Sequence, residues 1–215
     1  MNRRFFSLVG AFLLWAGNAM PAWAAETYGI DPAHSGVHFK ISHIGLSWIH
    51  GRFNNYAGTF AIDPDDAGKC SFEMKINTES IDTNNNMRDN HLRSPDFLDA
   101  AKHATITFKS TGCQCASPTD FKVSGVLTIR GISRPVDLDM HYIGQWKTPY
   151  WTDAGDAGPI TRVGFVAKAR INRQDFQVSW NGQLENGGAV VGDDVVIRID
   201  VEALLETDIK RITRK

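Results

Sequence analysis

The sequence predicts an all-β protein, an eight-stranded antiparallel barrel with a short helical lid. Three observations predict it. Apolar residues recur at every second position through most of the chain, as in Cys70, Phe72, Met74 and Ile76 with Ser71, Glu73 and Lys75 between them; this is the period of a strand with one buried face. Most of these runs are joined by short segments rich in Gly, Pro, Asp and Ser, the chemistry of hairpin turns. One stretch, Ser80 to Phe97, leaves the alternation for helix signals. Roughly eight strands of this length close most economically into a barrel, which removes exposed edges and leaves an interior for side chains or one slender ligand. A two-sheet sandwich is the structural alternative.

The order of the elements follows from the same periods. Val37, Phe39 and Ile41 face one way on the first clear strand, and His38 and Lys40 the other. Residues 42–51 are apolar but broken by Gly45 and Gly51, and predict a bend with a short, partly exposed segment. A strand from Phe53 to Asp63 and one from Lys69 to Thr78 form a hairpin about Pro64 and Gly68. In the stretch Ser80 to Phe97, the pivot between the strands on either side, Asp82 and Thr83 are N-cap candidates for a helix from Asn84 to about Arg93, with Met87 and Leu92 inward. Ser94-Pro95-Asp96 is a second helix start, with Phe97, Leu98 and Ala101 on its apolar side. A strand resumes at Thr105 to Thr111, a polar turn covers 112–120, and Lys122 to Arg130 and Pro135 to Tyr142 form another hairpin. Gly144 to Pro159 reads as a long loop carrying Trp146, Tyr150 and Trp151. The strand Arg162 to Ile171, an irregular region 172–194 with Phe176 and Trp180, and the strand Val195 to Ala203 complete the set, and 207–215 is expected to fray.

Composition and targeting narrow the function classes. Arg3 and Arg4 precede an apolar run from Phe5 to Met20, and Ala22-Trp23-Ala24 fits a secretory cleavage site, so residues 1–24 are expected to be a signal peptide and 25–215 one exported domain. No later stretch is apolar enough to span a membrane. The formal net charge of −1 gives no electrostatic case for nucleic acid. All three cysteines fall in the exported part, where disulfides persist. Cys70 opens the strand before the pivot, and Cys113 and Cys115 close the strand after it; if the two strands pair antiparallel, Cys70 meets Cys113 or Cys115.

Chemistry-bearing motifs are sparse. His34 and His38 share a strand face about 13 Å apart, too far for one ion. No His-Glu-x-x-His, Gly-x-Ser-x-Gly or glycine-rich phosphate loop occurs, so no catalytic residue and no metal site is assigned. Arg88, Asp89, His91 and Arg93 form the one dense polar group beside apolar lid residues. Arg88 and His91 are candidates to orient a ligand head group, while Asp89 reads as a tie from the lid to neighbouring loops.

The ordered motifs Ser80-Ile81-Asp82-Thr83, Arg88-Asp89-Asn90-His91-Leu92-Arg93, Asp96-Phe97, Ile106-Thr107-Phe108-Lys109-Ser110 and Gly125 to Ile132 with Pro135-Val136 closely resemble the YceI-like family. Ile171-Asn172-Arg173, Asp175-Phe176 and Val191-Gly192-Asp193 with Val195 extend the resemblance over nearly the whole exported part. Three positions depart from the family pattern: Leu98 in place of a second Phe, Ala104 in place of Pro, and Gln177 in place of Gly after Phe176. The resemblance implies an extended, lipocalin-like barrel in the periplasm that binds polyisoprenoids, its inner wall holding the isoprene chain of a quinone or other amphiphile. The wall candidates, on inward parity or on the lid, are Phe39, Ile41, Phe60, Phe72, Met74, Phe97, Leu98, Ile106, Phe108, Leu127, Ile129, Leu138, Met140, Phe165, Trp180 and Ile197. The implied partner is an amphiphilic lipid with no covalent cofactor, and a homodimer is compatible with it. The competing readings are an enzyme acting on a quinone-like or lipid substrate through Arg88, Asp89 and His91, and an interaction module using the aromatics of 144–159.

Overall fold

A computed structural model describes residues 26–63, 66–185 and 187–213. The proposed signal peptide lies outside the described residues, as do Pro64 and Asp65 of the first hairpin turn. The alternating residues form β1 (Glu26–Ile30), β2 (Gly36–His43), β3 (Ser47–Phe53), β4 (Tyr56–Asp63), β5 (Asp66–Asn77) and β6 (Ile81–Asp82). Helix α1 (Asn86–Arg93) follows, then β7 (Thr105–Cys115), β8 (Asp120–Ile129) and β9 (Ile132–Thr148). The chain ends with β10 (Trp151–Thr152), β11 (Gly155–Asp156), β12 (Ile160–Asn172), β13 (Val191–Leu205) and α2 (Glu206–Thr213).

Eight of these strands close a ring in the order β1, β4, β5, β7, β8, β9, β12, β13, with β13 pairing back to β1. All pairings are antiparallel, as hairpin connections require. The ring is complete at one end only. The last residues of β13, Ala203 to Leu205, pair with β1, whereas Val191 to Asp200 pair with β2. β2 pairs with β3, and β3 has as its second neighbour only the two-residue strand β6. The wall is therefore continuous at the β1 end and splits at the β2 end, where α1 and residues 94–104 cover the opening.

The sequence expectations hold for the fold class and most strands and fail in several places. Residues 42–51 are a hairpin, not a bend, because Ile44 and Gly45 both take positive φ (48° and 71°), the backbone of a tight turn. The strand after the lid runs through to Cys115, so the polar turn is only 116–119. Residues 144–159 are a continuation of β9 paired with β12 as far as Thr148 with Ile160, followed by the small β10–β11 hairpin, and not a long loop. Asn85, not Asp82 or Thr83, caps α1: its side chain accepts from the Arg88 amide, while Asp82 instead accepts from Arg52, Asn54 and the Asn84 amide. Met87 points outward at 84% exposure, and Leu92 alone of that pair packs inward. Ser94-Pro95-Asp96 makes turns rather than a second helix, with the Asp99 and Phe97 amides bonded to the Ser94 carbonyl. Residues 207–213 do not fray, while 214 and 215 lie outside the described residues: α2 is anchored by Asp208, which accepts from the Thr161 amide at 2.8 Å, and by Arg211, which donates to the Pro159 carbonyl.

Candidate functional site

Inward-facing side chains from the strands meet differently at the two ends. At the β1 end Phe60, Phe72, Phe165 and Met140 fill the section. The rings of Phe60 and Phe165 lie 4.9 Å apart, and Phe72 meets Phe165 edge-on at 5.9 Å. Beside them Cys70 and Cys113 form a disulfide, and Cys115 stays a free, exposed thiol that donates to the Ser117 carbonyl.

Toward the β2 end the same faces surround a cavity of about 360 Å³, within the roughly 300–1,000 Å³ of small-molecule pockets. Of the wall candidates, Phe39, Ile41, Met74, Phe97, Leu98, Ile106, Phe108, Leu127, Ile129, Leu138, Trp180 and Ile197 line it. Phe60, Phe72, Met140 and Phe165 do not, because they form the plug that floors it. Alternation along the strands missed Val37, Phe53, Ile76, Ile81, Leu92, Val136, Ile171, Phe176, Val178, Val191, Val195 and Ile199 as lining residues. Most of these shared a parity already assigned inward. Val178 has no signal in the sequence and Phe176 only the family resemblance, since both sit in an irregular segment.

Two glycines explain why large rings leave space. Phe39 pairs across the ladder with Gly51, and a Cβ on Gly51 would fall 2.3 Å from the Phe39 ring. A Cβ on Gly125 would likewise fall 2.3 Å from the Phe108 ring. Both rings lie along the wall over a bare backbone instead of crossing the bore.

The polar residues at the mouth are tied to the protein itself. Asp89, 4% exposed, accepts from both the amide and the hydroxyl of Thr83. Arg88 donates through Nε to the Thr83 hydroxyl at 2.7 Å and through Nη2 to its carbonyl at 2.8 Å. Nε2 of His91 lies 2.9 Å from Asp96, and its ring stands edge-on to both Phe97 and Trp180. Arg130 from the β8–β9 turn donates to the carbonyls of Phe97 and Gln177, joining the lid to the 173–191 segment.

Arg173, which also lines the cavity, was not anticipated. It is 4% exposed and donates to the carbonyls of Val178, Trp180, Val191 and Gly192, fixing the segment that carries Trp180. Burial lowers its pKa, and the neighbouring Asp193 opposes that shift. Among the described residues no buried side-chain nitrogen or oxygen lacks a partner. The site therefore offers apolar surface, and Arg88, His91 and Arg173 at its fringe are paired within the protein.

Away from the cavity, Asp31, His34 and Glu202 place ligand-type atoms within 4.8 Å of one another at the β1–β2 corner. Arg162 already pairs with both Asp31 and Glu202 there, so the cation between those carboxylates is the guanidinium.

The YceI-like domain family matches residues 28–203. The chain belongs to the YceI-like family. Protein YceI of Escherichia coli is 34% identical over 203 residues, covering 93% of this chain and 97% of that one. Among solved YceI-like barrels, Burkholderia cenocepacia BcnA superposes with a TM-score of 0.66 at 24% identity, covering 80% of this chain and 98% of its own. A polyisoprenoid-binding domain from Saccharophagus degradans superposes with a TM-score of 0.59 at 16% identity, covering 83% and 98%. The closed ring of eight strands is thus a YceI-like barrel.

Proposed function

We propose that this protein binds an isoprenoid lipid or isoprenoid quinone in the cavity above the aromatic plug, and carries or sequesters it in the periplasm without covalent chemistry. The observation that carries the reading is the cavity itself: about 360 Å³, walled by aliphatic and aromatic side chains. Burying ten carbons of a prenyl chain contributes on the order of 8 kcal/mol. Association and chain ordering consume several kcal/mol of that, so apolar contact alone supports useful affinity. The polyisoprenoid-binding function of the Saccharophagus degradans domain agrees with this chemistry. The Cys70–Cys113 bridge and the signal-like segment agree with an oxidising, exported location. Commitment of Arg88, Asp89 and His91 to Thr83 and Asp96 favours a binding protein over an enzyme.

Native mass spectrometry of the protein purified from its own periplasm tests this. The expected result is a lipid-sized adduct removed by organic extraction and restored by adding an isoprenoid quinone. A protein that is ligand-free as isolated and takes up no isoprenoid overturns the reading.

A further inference from the structure

The β2–β3 hairpin differs in charge from the rest of the molecule. No Asp or Glu occurs between Asp31 and Asp63, and the hairpin carries Lys40, Arg52, His38, His43 and His50 in a chain whose net charge is −1. Arg52 is paired with Asp82. The nearest acids on the neighbouring strand, Asp193 and Asp194, pair with Arg173 and Arg170.

Its tip is apolar against local preference. Tight turns with two positive φ values favour Asn-Gly or Asp-Gly, and a β-branched residue there is conformationally costly; here the turn reads Ile44-Gly45-Leu46. Leu46 is 83% exposed and Trp48 48% exposed, and the Lys40 amine lies 4.9 Å above the Trp48 ring. The tip also sits on the rim of the cavity. Ser42, His43 and Val190 line that cavity, and the Ile44 amide donates to the Val190 carbonyl at 2.8 Å.

We propose that the β2–β3 tip docks the cavity mouth onto an anionic lipid bilayer, with Leu46 and Trp48 entering the headgroup region and Lys40 facing lipid phosphate. The inference rests on the lipid-carrier reading and deepens it by naming the surface from which the ligand is exchanged. An amphipathic ring beside a lysine, next to an exposed aliphatic residue, matches the chemistry of interfacial anchors. Two anchors and one cation give reversible rather than permanent attachment, as a carrier that must leave the surface requires. No helix among the described residues is long and apolar enough to cross a membrane, so attachment through the tip does not compete with a helical anchor there.

Flotation with vesicles of phosphatidylethanolamine and phosphatidylglycerol, and separately of phosphatidylcholine, tests the proposal on the wild type, a Leu46→Ser/Trp48→Ser double variant and Lys40→Gln. Retention of the Cys70–Cys113 bond and of the thermal midpoint verifies folding. The wild type is expected to float with the anionic vesicles and less with phosphatidylcholine. The double variant should lose roughly tenfold or more in vesicle affinity, and Lys40→Gln should lose most of the preference for anionic lipid. Uptake of detergent-dispersed isoprenoid quinone should be equal in wild type and double variant. Wild type that stays in the dense fraction, or a double variant that floats equally, overturns docking; a protein rather than a bilayer as the occupant of the tip gives the first of these results. Quinone uptake without flotation overturns docking alone. Flotation lost only in the double variant, with no quinone taken up by either protein, supports docking and overturns the cavity reading.

Discussion

At the β1 end Phe60, Phe72, Phe165 and Met140 occupy the section between the strands, whereas at the β2 end Phe39, Phe108 and the aliphatic residues around them border empty space. β5, β8, β9 and β12 contribute inward side chains at both ends. What differs is the circumference and the partner of each ring. Where β13 pairs with β1 and β1 with β4, the ring is complete and its inward rings meet across the axis. Where β13 pairs with β2 instead, β2 and β3 swing away from β4, and a lid replaces direct strand pairing. In that half the rings of Phe39 and Phe108 lean on Gly51 and Gly125. The hollow end thus coincides with a split wall and with rings flattened over two glycines.

The comparison breaks most readily at the plug. Phe165→Ala should cost about 3–5 kcal/mol in denaturant unfolding, because the ring is 1% exposed between Phe60 and Phe72. Ile197→Ala, which removes a side chain bordering the cavity, should cost less than half as much. Equal losses would mean that the two ends are packed alike. A smaller substitution sharpens the hollow side. Gly51→Ala puts a methyl group where the Phe39 ring now lies and drives that ring toward the bore. Its isoprenoid affinity should fall roughly tenfold with a stability loss of about 1 kcal/mol, read by titration with an isoprenoid quinone. Unchanged affinity would show that ring orientation does not set the cavity.

This contrast also explains what the sequence discloses. Alternation alone identifies the strands, because burial on one face forces it, and it marks Phe60 and Phe39 equally as inward. It carries no information on whether an inward ring meets another ring or a void, since that depends on β13 changing partner from β2 to β1. The plug residues were therefore grouped with the wall. Arg173, Phe176 and Val178 escape for another reason: they lie in a segment without a period, where Arg173 and Val178 are held by hydrogen bonds. The turn at Ile44 was hidden by an apolar residue in a conformation that usually selects Asn or Gly. The lid was legible as a helix, but its cap was not, because Asp82, Thr83 and Asn85 are all competent capping residues and tertiary contacts to Arg52 and Asp89 occupy the first two.

The corner that separates the two halves should respond to acid. Burial disfavours ionisation of Asp31, yet hydrogen bonds from the His34 ring and the Ala33 amide, with the charge of Arg162, outweigh it and hold the carboxyl below its ordinary range. A depressed folded-state pKa contributes stability that is fully present above the unfolded value of about 3.9 and is lost as pH falls through the folded value. Asp31→Asn should therefore lower the thermal midpoint at pH 7, and the gap to wild type should close in strong acid. A gap that stays constant down to that range would exclude the ion-pair lock as the cause.

The smallest effect is expected at Gln177, which ends the 173–176 turn at the mouth. It has φ 54°, the left-handed region, and its amide bonds the Gln174 carbonyl. Glycine enters that region without steric cost, whereas a side chain with a Cβ resists it. Gln177→Gly removes that resistance but also gives the unfolded chain more freedom. The first effect should exceed the second, because Gly is the preferred residue in this conformation, and the net gain should be about 0.5 kcal/mol in equilibrium unfolding. Its carbonyl is one of the two that hold Arg130 across the lid, so the gain should be accompanied by unchanged isoprenoid affinity. A stabilised protein with weakened binding would instead show that the Gln177 side chain, and not merely its backbone, shapes the mouth.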